Sequence, residues 1–433
     1  MLKLVITNGW SDLNAGDSAI IMSVIKRFQL EYGNEMEVSI LSELNYENIF
    51  YSDSIDKIRE VFPNININLI SSPFFKVYDN KKINRIKEVV SLVKNISQLT
   101  FLGKNYNGKN EYYNAIKEAD IIVSKGGHFI HDRRGINSIV HLVKCLYPII
   151  ISSKFSKDYF FIAQSFGPFF YDTILSKINT NIVRYYLNKA KGISVREAIS
   201  YEAMKEIGID TSIMNKTSDY AFLINEIKYD CRDVKKIQSK YMVITLRQHY
   251  FKTNDGEKQY LNNMKKLCEY VYSKYNIKSL IVPHVKGPND FENDIIITNK
   301  FEKMISENNK NNYIFNYEYL HAKELVTLYS NAEILIGTRF HSVIFALAQG
   351  IPSLAISYSG YKANIMRQFE MDEFMINIDD INDKNFEKIK KLVDELIINN
   401  NSFRQKINTK LQEVIRSIMK DEAFRKIKEI IRN

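Results

Sequence analysis

The chain has 433 residues, 45 % hydrophobic and 25 % charged, with a formal net charge of +10. That length exceeds one ordinary core of roughly 100–200 residues, so two substantial domains are expected, with a cleft between them as the natural site, and a disordered chain is excluded. The lysines are scattered rather than gathered into a basic tail, which argues against a nucleic-acid partner, and Cys145, Cys231 and Cys268 stand too far apart for a disulfide framework or a zinc site.

The N-terminus, MLKLVITNGWSDLN, turns polar after a short apolar run, and no charge-free apolar stretch of about 18 residues occurs anywhere. A cytoplasmic protein that does not span a membrane is expected. LKLVIT (2–7) reads as a strand, the stretch from about Asp17 to Glu31 as a helix and EVSIL (37–41) as a second strand, which is βαβ rhythm. The junction NGWSDLNAGDSAI carries Asn14, Gly16 and Asp17, so Asp17 or Ser18 is expected to cap the helix while free N–H groups face an anion. Residues 74–112 are rich in Lys and Asn with a helical middle, KINRIKEVVSLVKNI, a pattern expected of either a mobile insertion or a surface helix that grips an acceptor.

DIIVS (120–124) is the next strand, followed at once by Lys125, Gly126, Gly127 and His128. Paired glycines expose backbone amides and Lys125 adds a compact positive charge, a combination suited to a phosphate or carboxylate. His128 and His131 in one extended segment are expected to face opposite ways, which argues against a metal site there. YFFIA (159–163) leads into AQSFGPF, a turn at Gly167 and Pro168, and GISVR (192–196) ends in Arg196, placed either beside a ligand or against a neighbouring carboxylate. After YAFLI (220–224) a polar stretch without strand character marks the expected boundary between an N-terminal α/β domain, 1–228, and a C-terminal one, 229–433.

A second series follows in YMVITL (241–246), SLIVP (279–283), EILIG (333–337) and PSLAIS (352–357), and the chain from about 382 is helical and charged. Two Rossmann-like βα domains with a helical C-terminal tail resemble the GT-B glycosyltransferase architecture. EILIGTRFH places Arg339 and His341 one residue apart at a strand end, where extended geometry would turn both the same way. Arginine offers a planar fork for phosphate or carboxylate, and histidine exchanges a proton near neutral pH.

Taken together, NAGDSAI (14–20), SKGGHFIHD (124–132), AQSFGPF (163–169), SVREAIS (194–200), SDYAFL (218–223), ITLRQ (244–248) and GTRFHSVIFALAQGIPSLAISYSGYKANIM (337–366) resemble the polysaccharide pyruvyl transferase family. The specific element is Arg-x-His, a small-residue helix, Gly-x-Pro, a strand and then a lysine. Gly126, Gly127 and His128 stand where the family usually has a glycine triplet, and Phe340 where it often has leucine. The resemblance implies transfer of pyruvate from phosphoenolpyruvate to two hydroxyls of one sugar, with a nucleotide-linked, lipid-linked or polymeric acceptor. It places Arg339 and His341 on phosphoenolpyruvate, Arg196 as a further anion ligand, and Asn14, Asp17, Gly126, Gly127, Arg247 and Lys362 along the cleft. His341 is the candidate acid and Asp17 the candidate base, and no metal or organic cofactor is required. With a lipid-linked acceptor, the 74–112 region is expected to meet the inner membrane face. A GT-B glycosyltransferase using a nucleotide sugar, or a catalytically silent anion-binding protein, would share the same fold-level rhythm.

Overall fold

Short runs apolar on both sides fold as buried parallel strands, because only a sheet covered on both faces removes every side chain from water. In the computed structural model, which describes all residues except 53, 76–81, 101, 103–105, 107, 232–233, 235, 288, 359–362 and 433, these runs build two parallel sheets. The first holds β1 (Leu2–Gly9), β2 (Met36–Ser42), β3 (Asn66–Ile70), β4 (Ile121–Ser124), β5 (Gly127–Ile130), β6 (Tyr159–Phe166), β7 (Gly192–Val195) and β8 (Met214–Lys216). Their order is β3-β2-β1-β4-β6-β7-β8, with β5 paired to β6. The second holds β9 (Tyr241–Thr245), β10 (Lys278–Ile281), β11 (Tyr313–Phe315), β12 (Leu335–Gly337), β13 (Ser353–Ser357) and β14 (Met375–Asn377), in the order β11-β10-β9-β12-β13-β14. Both orders reverse direction beside their first strand, the doubly wound pattern of a Rossmann sheet. The expected two-domain GT-B-like architecture with a helical C-terminal end is what the chain forms.

All eight residues of β6 are buried, Tyr159, Phe160, Phe161 and Phe166 among them. Each such aromatic contributes about 1.5–3 kcal/mol on leaving water. In the second sheet the register pairs Thr245 with Gly337 and Gly337 with Ala355. The residues that leave β9, β12 and β13 therefore emerge side by side at the carboxyl edge. This is the switch point of that sheet, where open α/β folds bind ligands.

The chain divides into two compact units, but neither is one continuous stretch. The first comprises Met1–Asp12, Ile20–Tyr220 and Arg416–Asn433, and the second Leu13–Ala19 and Ala221–Ile415. The division falls at Tyr220, inside the run YAFLI, which forms a 3-10 helix (Tyr220–Glu226). Tyr220 belongs to the first unit because its hydroxyl donates to the buried Asp421 carboxylate (2.8 Å), which also accepts from Asn215 Nδ2 (3.2 Å). The last helix, Glu422–Arg432, completes that unit by burying Phe424 beneath the Arg27 guanidinium, 3.8 Å from the ring centroid.

Candidate functional site

In the second unit the helix Phe340–Ala348 is apolar on every side, and seven of its residues from Ser342 to Ala348 are buried. Its start is fixed by side-chain hydroxyls. The Thr338 N–H donates to Thr245 Oγ1 (3.1 Å), Ser342 Oγ lies 2.9 Å from the same atom, and Ser342 Oγ donates to the Arg339 carbonyl (2.6 Å). Gly350, Ile351 and Pro352 end it, in keeping with the preference for Gly and then Pro after a helix. His341 is thereby carried in the first turn of a rigid core helix.

The extended geometry expected for Arg339 and His341 is not what holds them. β12 ends at Gly337, Arg339 is the helix N-cap and His341 is the second helical residue. The helix begins early because the Thr245 and Ser342 hydroxyls satisfy backbone groups that a longer strand would have paired. The Arg339 guanidinium is bound by Asp294, with Nε to Oδ1 and Oδ2 at 3.0 and 3.1 Å and Nη2 to Oδ1 at 2.5 Å, and it donates to the Glu292 carbonyl at 2.8 Å. Asp294 Oδ2 also accepts from the N–H groups of His284 (3.1 Å) and Val285 (3.0 Å). Asp294 therefore ties Arg339 to the segment that follows β10.

That segment in turn holds the loop of the first junction. The Ala15 N–H donates to the His284 carbonyl (3.1 Å), the Lys286 N–H to the Leu13 carbonyl (2.9 Å), and Asn14 bridges to Val285. Asn14, not Asp17 or Ser18, caps the helix Ala15–Tyr32: its Oδ1 accepts from the N–H groups of Gly16 (3.1 Å) and Asp17 (3.3 Å). Those amides and that of Ala15 are consequently occupied, so the anion-facing N–H groups expected here do not exist. Asp17 falls in the first helical turn.

Gly16 has a different purpose. A Cβ there would stand 2.1 Å from His341 Nδ1 and 2.4 Å from its Cγ, so only glycine lets the imidazole lie against the helix backbone. His341, Gly16, Asn14 and Asp17 thus share one locality. Beneath it the buried His284 ring bonds the Tyr329 hydroxyl through Nε2 and lies 5.3 Å from the Phe345 ring centroid. Burial, reinforced by the charges of Arg339 and His341, holds the His284 pKa well below the usual 6.5.

Arg247, just beyond β9, is 8 % exposed and stacks on Tyr358, its guanidinium carbon 3.6 Å from the ring centroid. Its Nε donates to the Gln248 carbonyl (3.1 Å), and it makes no ion pair among the described residues. Burial lowers its pKa from 12.5 and the neighbouring Arg339 charge acts in the same direction, partly offset by Tyr358, Asp294 and Glu292. A pocket lined by Arg339, Phe340, Val343, Ser357 and Ile365 opens at the same sheet edge. Lys362 lies outside the described residues.

The remaining candidates belong to the first unit. Lys125 is buried behind β4, with its ammonium 5.9 Å from the Phe129 ring centroid. Gly126 is needed for packing, since a Cβ would meet the Ala163 carbonyl oxygen at 2.7 Å. Gly127 opens β5 and its carbonyl accepts from Gln164 Nε2 (2.7 Å). His128 Nε2 donates to the Gly167 carbonyl (2.6 Å). The His128 and His131 rings do not point apart as expected: their centroids are 4.9 Å apart, and His141 lies 5.3 Å beyond His131. β5 ends at Ile130, so strict alternation no longer applies at His131. His131 Nε2 accepts from Arg133 Nε (2.9 Å), and burial together with the charges of His128, Arg133 and His141 pushes its pKa down to about 3. Among the described residues no group of His, Cys, Asp or Glu is arranged to hold a metal ion.

Of the two arrangements open to Arg196, the structure shows the pairing with carboxylates. Its guanidinium donates to Glu197 Oε1 (2.8 Å), Ser165 Oγ (2.6 Å) and Asp219 Oδ2. Three contributors escaped the sequence reading. In the sequence Asp294 is indistinguishable from an ordinary first-turn acid and His284 from any loop histidine, and nothing near Gly16 identifies His341 as its partner.

The sequence pattern of the polysaccharide pyruvyl transferase family matches residues 14–360. The amylovoran biosynthesis protein AmsJ of Erwinia amylovora is 22 % identical over 409 residues, covering 88 % of this chain and 89 % of its own. Solved structures share the fold at low identity. UDP-GlcNAc 2-epimerase from Neisseria meningitidis bound to UDP-GlcNAc matches with a TM-score of 0.57 at 11 % identity, covering 96 % of this chain and all of its own. Anabaena Alr3699/HepE in complex with UDP and glucose matches with a TM-score of 0.54 at 10 % identity, over 100 % of both chains.

Proposed function

The chain belongs to the polysaccharide pyruvyl transferase family; from that premise we propose that it transfers pyruvate from phosphoenolpyruvate to two hydroxyls of one sugar, forming a cyclic ketal and releasing phosphate during cell-surface polysaccharide synthesis. The observation that supports the donor most directly is Arg247, a buried guanidinium that makes no ion pair among the described residues. Such a charge is costly unless an anion arrives, and a guanidinium fork matches both phosphate and carboxylate. Phosphoenolpyruvate carries both. Arg339, beside it at the switch point, adds a second guanidinium whose orientation Asp294 fixes.

In this reading protonated His341 gives its proton to the methylene carbon, and the C2–C3 π electrons form the new C–H bond. The resulting oxocarbenium is attacked at C2 by a sugar hydroxyl, whose proton passes to Asp17. The C2–O bond to phosphorus then breaks and phosphate leaves with the electron pair. The second hydroxyl adds to the renewed oxocarbenium and passes its proton to the now neutral His341 imidazole, closing the ketal and restoring the acid. A positioned acid of this kind contributes on the order of 100- to 10,000-fold. Each step is proton transfer, addition or departure of a leaving group, so none calls for a metal or organic cofactor. The acceptor is a sugar carried on a nucleotide, a lipid or the polymer itself.

Purified protein would be incubated with phosphoenolpyruvate and a panel of UDP-linked and lipid-linked sugars, and phosphate release followed alongside the His341→Ala variant. Acceptor-dependent release that the variant lacks is expected. No release, together with no heat of phosphoenolpyruvate binding, overturns the proposal, and consumption of a nucleotide sugar in its place assigns glycosyl transfer.

A further inference from the structure

The helix Lys82–Leu99 in the first unit is apolar on two opposite faces. One face is accounted for. Leu92 and Leu99 pack against the core, Ser91 Oγ accepts from the Phe75 N–H (2.9 Å), Asn95 Nδ2 donates to the Pro73 carbonyl (2.8 Å), and the Tyr147 hydroxyl donates to the Asn95 carbonyl (3.1 Å). The other face carries Ile86, Val89, Val90, Val93 and Ile96, with relative exposures of 52, 61, 61, 62 and 42 %. Their spacing puts them in one stripe about three turns long. Five neighbouring aliphatic side chains left in water on the face turned away from the core form an exposed apolar patch, so this stripe calls for an occupant.

Charge decides which occupant. The helix carries Lys82, Arg85, Lys87 and Lys94 against Glu88 as its one acid, in a chain of net charge +10. Lys87 and Lys94 are exposed and, seven residues apart, stand on one flank of the stripe. There their methylene stems can lie along apolar surface while the ammonium groups reach outward. The stripe contains only Ile and Val, without the Trp, Tyr or Arg anchors that dominate protein–protein hot spots. Aliphatic side chains flanked by lysines are instead the pattern of a helix lying in the interfacial plane of a negatively charged bilayer. We propose that Lys82–Leu99 docks this protein on an anionic lipid surface, with Ile86, Val89, Val90, Val93 and Ile96 entering the acyl boundary and Lys87 and Lys94 meeting headgroups.

The test is flotation of the full chain with vesicles of phosphatidylcholine alone or mixed with phosphatidylglycerol. The protein is expected to float with the anionic vesicles only. A Val89→Asn/Val90→Ser/Val93→Asn variant is expected to lose on the order of tenfold or more in partitioning. A Lys87→Gln/Lys94→Gln variant should lose about fivefold per lysine at low salt. Ile398→Asn, an equally exposed aliphatic (68 %) in the second unit, should change nothing. A Val90→Trp variant keeps the proposal testable if the triple variant fails to fold, because its emission must shift to the blue on anionic vesicles. The proposal is overturned by wild-type protein that stays in the aqueous layer, by undiminished binding in the triple variant, by equal loss in Ile398→Asn, or by an unshifted tryptophan. It is also overturned by a lipid-free dimer that dissociates in the triple variant, which would assign the stripe to a second copy of the chain.

Discussion

Gly16 and His341 set two effects against each other in one substitution. Replacing a first-turn glycine by alanine ordinarily favours a helix by up to about 1 kcal/mol. Here the new methyl would stand 2.1 Å from His341 Nδ1, so the imidazole must leave its seat. Gly16→Ala is therefore expected to leave the unfolding midpoint almost unchanged while acceptor-dependent phosphate release falls about 100-fold or more, the scale of a lost general acid. Arg247→Ala should raise KM for phosphoenolpyruvate roughly thirtyfold or more, as loss of about 2–5 kcal/mol from a buried charged contact implies, and Arg247→Lys should recover it only in part because the fork is gone. Asp294→Ala strands a buried guanidinium and is expected to cost about 3–5 kcal/mol of stability, read from urea unfolding. His284 gives a pH signature. Its folded pKa lies well below 6.5, so at pH below 6.5 the unfolded chain binds the extra proton, and stability present above that pH is lost as pH falls. His284 contributes at most about 1.4 kcal/mol per pH unit to this slope, and His284→Gln should remove that share while leaving the share of His131, whose pKa is also depressed.

Elements explain why some of this was legible in the sequence and some was not. β1, β6 and β9 are long or unbroken apolar runs, and their strands follow the sequence expectation closely because the burial that drives them is written in every residue. β8, β11 and β14 span three residues each and β5 spans four, too few side chains to display a period. Arg339 and His341 could be picked out, but not the early helix start that carries them, since the Thr245 hydroxyl that fixes it together with Ser342 comes from a distant strand. Asp294 was invisible for the same reason: a first-turn acid looks alike whether it faces water or a guanidinium 45 residues away. The first-junction helix shows the cap passing to the residue whose side chain reaches two amides, Asn14, so Asn14→Ala should cost about 0.5–2 kcal/mol by denaturant melt.

At the scale of the whole molecule, two parallel-sheet domains of the GT-B-like class were foreseeable from alternating strand and helix signals, whereas the strand orders and the path of the chain were not. It passes from one unit to the other after Asp12, Ala19, Tyr220 and Ile415. Hydrophobic periodicity reports which face of an element is buried, not which core receives it. Cutting the chain at 228/229 would take Asn14 and Gly16 from the unit that holds His341, and would leave Asp421 and Phe424 without the strands they pack on. The two fragments expressed separately are accordingly expected to lack cooperative unfolding by calorimetry, while the intact chain shows it.

The same path constrains how such genes can recombine. A single crossover near codon 220 joins the glycine codon of one parent to the histidine codon of the other, together with two halves of an Asn14–Val285 bridge that were never selected to match. Hybrids made that way draw the seat of the imidazole from both parents, and a second crossover that lets the short 13–19 segment travel with the C-terminal half keeps it whole.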